Sequence, residues 1–94
     1  MRLEWSAVAL ADLNRFAAFL QERHPRLANV VAAEILAKAR VLEAIPELGY
    51  AIGRSGAYRQ VVLEVLRAKY VFRYRIEEDR IVMMRVFHGR EDRS

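Results

Sequence analysis

The sequence predicts an α+β domain of two layers, in which a helical hairpin packs on one face of a mainly antiparallel sheet, in the order β-α-α-β-β-β. In the first half, apolar residues recur at spacings of three and four, as in amphipathic helices. After about residue 57 the apolar period changes to two, as in strands with one buried face. The chain has 94 residues, of which 54% are hydrophobic, which is enough for one packed core. We therefore expect residues 1–94 to form one domain.

Charge is unevenly distributed along the chain. Residues 1–53 carry six basic and six acidic side chains, whereas residues 54–94 carry ten basic and six acidic, so the net charge of +4 belongs to the second half. Fourteen of the 16 basic residues are arginine, which suits bidentate binding of carboxylates or phosphates. Composition alone leaves open whether the partner is a nucleic acid or an acidic protein.

Several classes of function are disfavoured. The chain has no cysteine, which excludes disulfides and thiolate chemistry. Charged residues interrupt every apolar run before it reaches the length of a membrane helix, and the first residues do not resemble a signal peptide. We expect a cytoplasmic protein without a membrane partner, a cofactor or a metal site.

The first predicted elements are a short strand and a helix. Residues 2–5 alternate and predict an edge strand, and Ser6 is a candidate N-cap for the helix that follows. The helix should end by His24, because the residue before Pro25 is disfavoured in helical geometry. Its apolar stripe is Ala9, Leu13, Phe16, Ala17 and Leu20, with Asp12, Arg15 and Glu22 off the stripe.

A second helix is predicted from about Arg26 to Ala44, ended by Pro46. Its apolar stripe comprises Val31, Ile35, Leu42 and Ile45. Since only a few residues separate the two helices, they should be antiparallel neighbours.

Residues 46–57 contain one proline and three glycines and predict a loop. The segments "YRQVVLEV", "KYVFRYRI" and "RIVMMRVFH" predict three strands, with a turn at "EED", residues 77–79. In the middle strand, alternation places Tyr70, Phe72, Tyr74 and Ile76 on one face and Lys69, Val71, Arg73 and Arg75 on the other. The aromatic face should pack on the helices, in a sheet of three or four strands.

Several segments together resemble the RelE/ParE superfamily of toxins from bacterial toxin–antitoxin operons. They are Trp5 and "ADL" at 11–13, "IPELG" at 45–49, Arg59 at the start of a strand, "YVFRYRI", and the ending "IVMMRVFHGRED". Each motif is loose by itself, but their order and spacing together are fairly specific. The resemblance covers nearly the whole chain. The ending "RVFHGRED" is more similar to the ParE branch than to the RelE branch.

The resemblance implies the two-layer fold and two alternative activities. RelE-like toxins cleave messenger RNA in the ribosome, whereas ParE-like toxins lack that chemistry and inhibit DNA gyrase. In both branches a small antitoxin wraps the toxin with its C-terminal segment. We favour a ParE-like toxin in a hetero-oligomeric complex with a ParD-like antitoxin, with a ribosome-dependent nuclease as the alternative.

The candidate catalytic residues for the nuclease alternative are Arg59, Arg85 and His88. RNA cleavage through the 2′-hydroxyl needs a base, an acid and cations close together. The second histidine, His24, is expected to be a solvated turn residue. His88 is followed by Gly89, whereas RelE-like nucleases often have a tyrosine there.

Alternation also places Arg85 and His88 on opposite faces of the last strand. We therefore predict that Arg73, Arg85, His88 and Arg90 bind a partner instead of catalysing a reaction. The simplest structural alternative for Arg85 is a solvated side chain, or an ion pair with the acidic turn or with Glu64.

A third hypothesis is a small nucleic-acid-binding module. A binder of single strands presents aromatic rings and cations on the same exposed face. In "KYVFRYRI" these residues alternate onto opposite faces, which disfavours this hypothesis.

Overall fold

A computed structural model of the protein describes residues 1–91 and has the predicted α+β architecture. The last three residues of the predicted tail, 92–94, lie outside the described part. The strands are β1 (Arg2–Trp5), β2 (Tyr50–Ile52), β3 (Tyr58–Val65), β4 (Ala68–Glu77) and β5 (Arg80–His88). The helices are α1 (Ala7–Gln21), α2 (Pro25–Ala39) and the single turn α3 (Val41–Ala44).

The sheet has five strands, not the three or four expected, in the order β1-β5-β4-β3-β2. All neighbours are antiparallel except β1, which pairs in parallel with residues 80–83 of β5. The first strand thus joins the sheet through a long-range contact and forms one edge. The other edge strand, β2, lies within the segment that we predicted to be a loop. A strand of three residues carries too little periodicity to be recognised, and it is defined by its pairing with residues 58–60 of β3.

The second predicted helix is interrupted, which corrects the continuous helix expected over residues 26–44. At Arg40 the backbone N–H bonds to the carbonyl of Ala37, so the last turn tightens, α2 ends at Ala39, and α3 follows. The predicted stripe is also too long by one residue. Ile45 precedes Pro46, adopts a non-helical conformation, and is 49% exposed.

The core lies between the helical hairpin and one face of the sheet. Leu13, Phe16, Ile35 and Phe72 belong to one buried cluster, as the two apolar periods predict. Tyr70 and Tyr74 are also buried there, whereas Ile76 at the end of β4 is 36% exposed. Within residues 1–91, no helix combines the length and the apolar character that crossing a bilayer requires.

A β-bulge shapes the last strand. The register between β4 and β5 shifts after Arg73, so that Arg73 faces Arg85 whereas Tyr74 faces Met83. Met84 is the extra residue, and Met83 is completely buried. The bulge lies where β1 ends, which frees the edge of β5 from Met84 onwards.

Helix α1 covers this free edge. Ser6 caps the helix, as predicted, by accepting a hydrogen bond of 3.1 Å from the N–H of Ala9. Its own N–H donates to the carbonyl of Met83, and its hydroxyl donates to that of Met84. Further along, the N–H of Val86 donates to the carboxylate of Asp12 at 2.8 Å. Polar groups of α1 therefore take the place of a neighbouring strand.

The turns differ in character. Two residues, 78 and 79, connect β4 to β5, and they lie within the acidic turn predicted at 77–79. Between β3 and β4, Leu66 and Arg67 both have positive φ, at 51° and 65°. Residues other than Gly, Asn and Asp adopt this backbone conformation at a cost of about 1–2 kcal/mol per residue.

Candidate functional site

A buried carboxylate joins α1 to β5. Asp12 is only 2% exposed, which corrects its placement off the helical stripe. Arg85 binds it with two hydrogen bonds, 3.0 Å from Nε and 3.1 Å from Nη2, and Arg15 binds it through Nη1. With the N–H of Val86, the two carboxylate oxygens accept four hydrogen bonds.

These bonds determine the charge state of Asp12. Burial alone would raise its pKa, but the hydrogen bonds from Arg85, the Val86 N–H and Arg15 outweigh burial and hold the pKa below its ordinary value of 3.8. Arg85 is thus ion-paired, but with Asp12 and not with the acidic turn or Glu64, the two partners considered from sequence. Its side chain remains 40% exposed.

The same helix also holds the turn after β5. Arg15 Nη2 lies 3.0 Å from one carboxylate oxygen of Glu91 and 3.1 Å from the other. Glu91 in turn accepts a 2.7 Å hydrogen bond from the N–H of His88, and its own N–H donates to the His88 carbonyl. The ion pair between Arg15 and Glu91 therefore connects the turn formed by residues 88–91 to α1.

His88 lies on the helix-facing side of the sheet. Its ring packs edge-on against Tyr70, with the ring centroids 5.2 Å apart, and Tyr70 packs in the same way against Phe16. Its Nδ1 accepts a hydrogen bond of 3.1 Å from the N–H of Arg90. Because Nδ1 is an acceptor here, any proton on the neutral ring is on Nε2.

The opposite face of the sheet carries two stacked arginines. Arg73 and Arg85 are direct neighbours across β4 and β5, and their guanidinium groups lie 5.0 Å and 4.7 Å from the ring centroid of Phe87. Arg73 also donates to the amide oxygen of Gln60 at 2.8 Å. Like charges opposed in a sheet repel, and these contacts offset the repulsion.

Aromatic rings and cations therefore do share a face, because neighbouring strands supply the rings that β4 does not. The guanidinium carbon of Arg73 lies 5.9 Å from the ring centroid of Tyr58 on β3 and 5.0 Å from that of Phe87 on β5. However, Phe87 is only 5% exposed beneath the two guanidinium groups. The ring is covered and offers little surface on which a base could stack.

Arg59 lies near the other end of the helix-facing side. Its Nη1 donates to the carbonyl of Gly49 at 2.5 Å, in the loop that Tyr74 also holds by bonding to Pro46 and Gly49. Arg59 on β3 pairs with Tyr74 of β4, whereas His88 on β5 pairs with Tyr70, four residues earlier on β4. At about 3.3 Å per residue this separates the two positions by roughly 13 Å along the strand.

The structure thus divides the predicted residues among three places. Arg73 and Arg85 share the outer face, His88 and Arg90 lie together at the end of β5, and Arg59 is bonded to the loop. The sequence reasoning missed Asp12, Arg15 and Glu91. The spacing of three between Asp12 and Arg15 on one helix was the available signal for part of this network.

An apolar groove opens beside His88, between the helical hairpin and the end of the sheet. It has a volume of about 570 Å³, and its rim carries Arg15, Arg90 and Glu91. On one side Phe19 is 59% exposed, and on the other Leu66 is 36% exposed. The apolar lining includes Phe16, Phe19, Leu20, Leu27, Leu66 and Tyr70.

Comparisons with known proteins agree with this architecture. A family model described as "ParE toxin of type II toxin-antitoxin system, parDE" matches residues 3–93. The chain is 31% identical over 88 residues to Toxin RelE1 of Caulobacter vibrioides, which covers 94% of this chain and 92% of the relative. A solved structure of the chromosomal ParDE toxin–antitoxin system from P. aeruginosa superposes with a TM-score of 0.75 at 20% identity, over 94% of this chain and 95% of the other. At that identity the structural likeness supports the fold alone.

Proposed function

Because this chain belongs to the ParE toxin family of type II toxin–antitoxin systems, we propose that it arrests growth by inhibiting DNA gyrase and that a ParD-like antitoxin neutralises it. The observation that carries this proposal is the family match, which extends over residues 3–93. Gyrase inhibition is the activity that the ParE-like ending of the sequence implies. The positions of the charged side chains support inhibition through surface contacts.

Catalysis would need groups that meet at one reacting phosphate. Arg85 is held by Asp12, Arg59 is held by the Gly49 carbonyl, and His88 lies near neither of them along the sheet. A base, an acid and cations at one point would require these side chains to leave their present partners. This geometry favours docking through two separate surfaces, Arg73 with Arg85 on the outer face and His88 with Arg90 at the end of β5.

A second candidate is a RelE-like nuclease that acts on messenger RNA in the ribosome. It is favoured by the name of the Caulobacter relative, Toxin RelE1. In this case Arg59, Arg85 and His88 would be the catalytic residues, and the ribosome would have to reposition them.

The antitoxin would bind the groove beside His88. An amphipathic helix binds such a groove through apolar side chains at helical spacing. Arg90 on the rim would attract acidic residues that flank the apolar ones, and the net charge of +4 would accelerate encounter. The complex would be hetero-oligomeric and, with no membrane partner, cytoplasmic.

The two activities predict different effects in cells after induction of the toxin. Loss of plasmid supercoiling with intact transcripts would support the gyrase proposal. Cleavage of ribosome-bound transcripts with normal supercoiling, abolished by His88→Ala, would overturn it in favour of the nuclease. Growth that recovers on expression of the antitoxin encoded beside the toxin would support the neutralisation proposal, and continued arrest would contradict it.

A further inference from the structure

The hairpin turn beside the groove combines strain with an exposed apolar side chain. Val65 pairs with Ala68, so Leu66 and Arg67 alone form the connection, and both have positive φ. Turns of this kind favour Asn-Gly, because short polar side chains and glycine tolerate the left-handed conformation. A leucine is the least expected kind of residue at such a position.

Burial does not fully account for this leucine. The Leu66 side chain lines the groove but remains 36% exposed. Across the groove, Phe19 on α1 is 59% exposed. Strained backbone occurs preferentially at binding clamps, where the side chain that it presents has a use.

We propose, resting on the function given above, that Leu66 and Phe19 form a clamp for one apolar side chain of the antitoxin helix. Contacts of this type, between large apolar groups in a groove that excludes water, carry most of the binding energy in helix recognition. The charges on the rim select the occupant. Arg15 is paired with Asp12 and Glu91, so Arg90 is the rim cation that attracts an acidic residue beside the inserted side chain.

The test uses the antitoxin that the proposed function places in the neighbouring reading frame, purified and titrated into the toxin by calorimetry. Leu66→Asn removes the clamp and supplies a residue that the turn prefers. We expect it to weaken binding at least about tenfold, as loss of a central apolar contact does. Two controls should bind like the wild type. Arg67→Gly eases the same turn but keeps the leucine, and Leu36→Asn removes a leucine of the same 36% exposure on α2, outside the groove lining.

The outcomes separate this inference from the proposed function. If the wild type binds the antitoxin and Leu66→Asn binds within about twofold of it, the clamp is wrong and the proposed function stands. Equal weakening by Arg67→Gly or Leu36→Asn would also overturn the clamp. If the wild type does not bind, both proposals fail.

Thermal unfolding tests whether Leu66 is instead a core residue. In Leu66→Asn, relief of backbone strain stabilises the folded protein and loss of partial burial destabilises it. The variant should therefore melt within a few degrees of the wild type. A large fall in melting temperature would contradict the clamp. The double variant L66N/R67G carries the preferred turn pair and repeats the binding test, and binding within about twofold of the wild type would overturn the clamp.

Discussion

Replacing Asp12 by Asn should destabilise the protein strongly, although Asn has nearly the same shape. The carboxylate accepts four hydrogen bonds, three of them from guanidinium groups. The amide of Asn would place N–H donors against these donors and would remove the negative charge between Arg15 and Arg85. The N–H of Val86, at the free edge of β5, would lose its ionised acceptor.

The magnitude follows from the burial of the partners. Breaking a fully buried ion pair costs about 3–5 kcal/mol, and a net hydrogen bond to a charged group contributes about 1.5–3 kcal/mol. Both arginine side chains are about 40% exposed and can regain water, so the lower range applies. We expect a loss of about 2–4 kcal/mol from a total of roughly 5–14 kcal/mol for a chain of this size. At about 4–8 °C per kcal/mol, the melting temperature should fall by about 8–32 °C.

The same residue predicts a dependence on pH. The pKa of Asp12 is lowered in the folded chain, so its contribution to stability is complete above the ordinary value of 3.8 and is lost as the pH falls through the folded pKa. Asp12→Asn should therefore remove part of the acid sensitivity seen below about pH 4.

Urea titrations from pH 2 to 7 measure both effects. Glu77→Gln is the matched control, because its ion pairs with Arg75 and Arg80 are on the surface and should matter little. A free energy of unfolding for Asp12→Asn equal to that of the control at pH 7 would refute the reasoning, as would an unchanged pH profile.

Three further predictions concern the loop, the last turn and the rim of the groove. Tyr74→Phe should cost about 1–3 kcal/mol in urea unfolding, because the N–H of Gly49 loses its acceptor at 2.8 Å, and an unchanged midpoint would contradict this. Gly89→Ala should cost about 1–3 kcal/mol, since a Cβ there would lie 2.8 Å from the carbonyl oxygen of Lys69. Faster hydrogen exchange at that turn would accompany the loss, and wild-type exchange would argue against it. Arg90→Glu should slow association with the antitoxin severalfold at low salt and less at high salt in stopped-flow measurements, and a rate independent of this charge would exclude rim steering.

The parts of the fold that were predictable are those that repeat along the chain. Alternation in β4 placed Tyr70, Phe72 and Tyr74 in the core, since a strand with one buried face must have this period. The break at Arg40 was not predictable, because most of the residues around it favour helix and neither glycine nor proline is among them. The strand β2 could not be recognised, because only its partner β3 makes it a strand.

The candidate site was less predictable for a related reason. Alternation predicted that Arg85 and His88 lie on opposite faces, and the register confirms this. The partner of Arg85 comes from α1, more than 70 positions earlier in the chain. Asp12 looked like a surface residue because helical periodicity describes one helix alone, whereas its burial results from the free edge of β5.

Purified gyrase provides the most direct test of inhibition by docking. Increasing amounts of wild-type toxin and of His88→Ala are added to a supercoiling reaction, and the concentration that halves the rate is determined for each. A docking surface predicts inhibition by both proteins, with midpoints that differ only severalfold. A catalytic histidine would carry about 10²–10⁴-fold of the activity. Absence of inhibition by the wild type at saturating toxin, or inhibition that His88→Ala abolishes on that scale, would contradict the account.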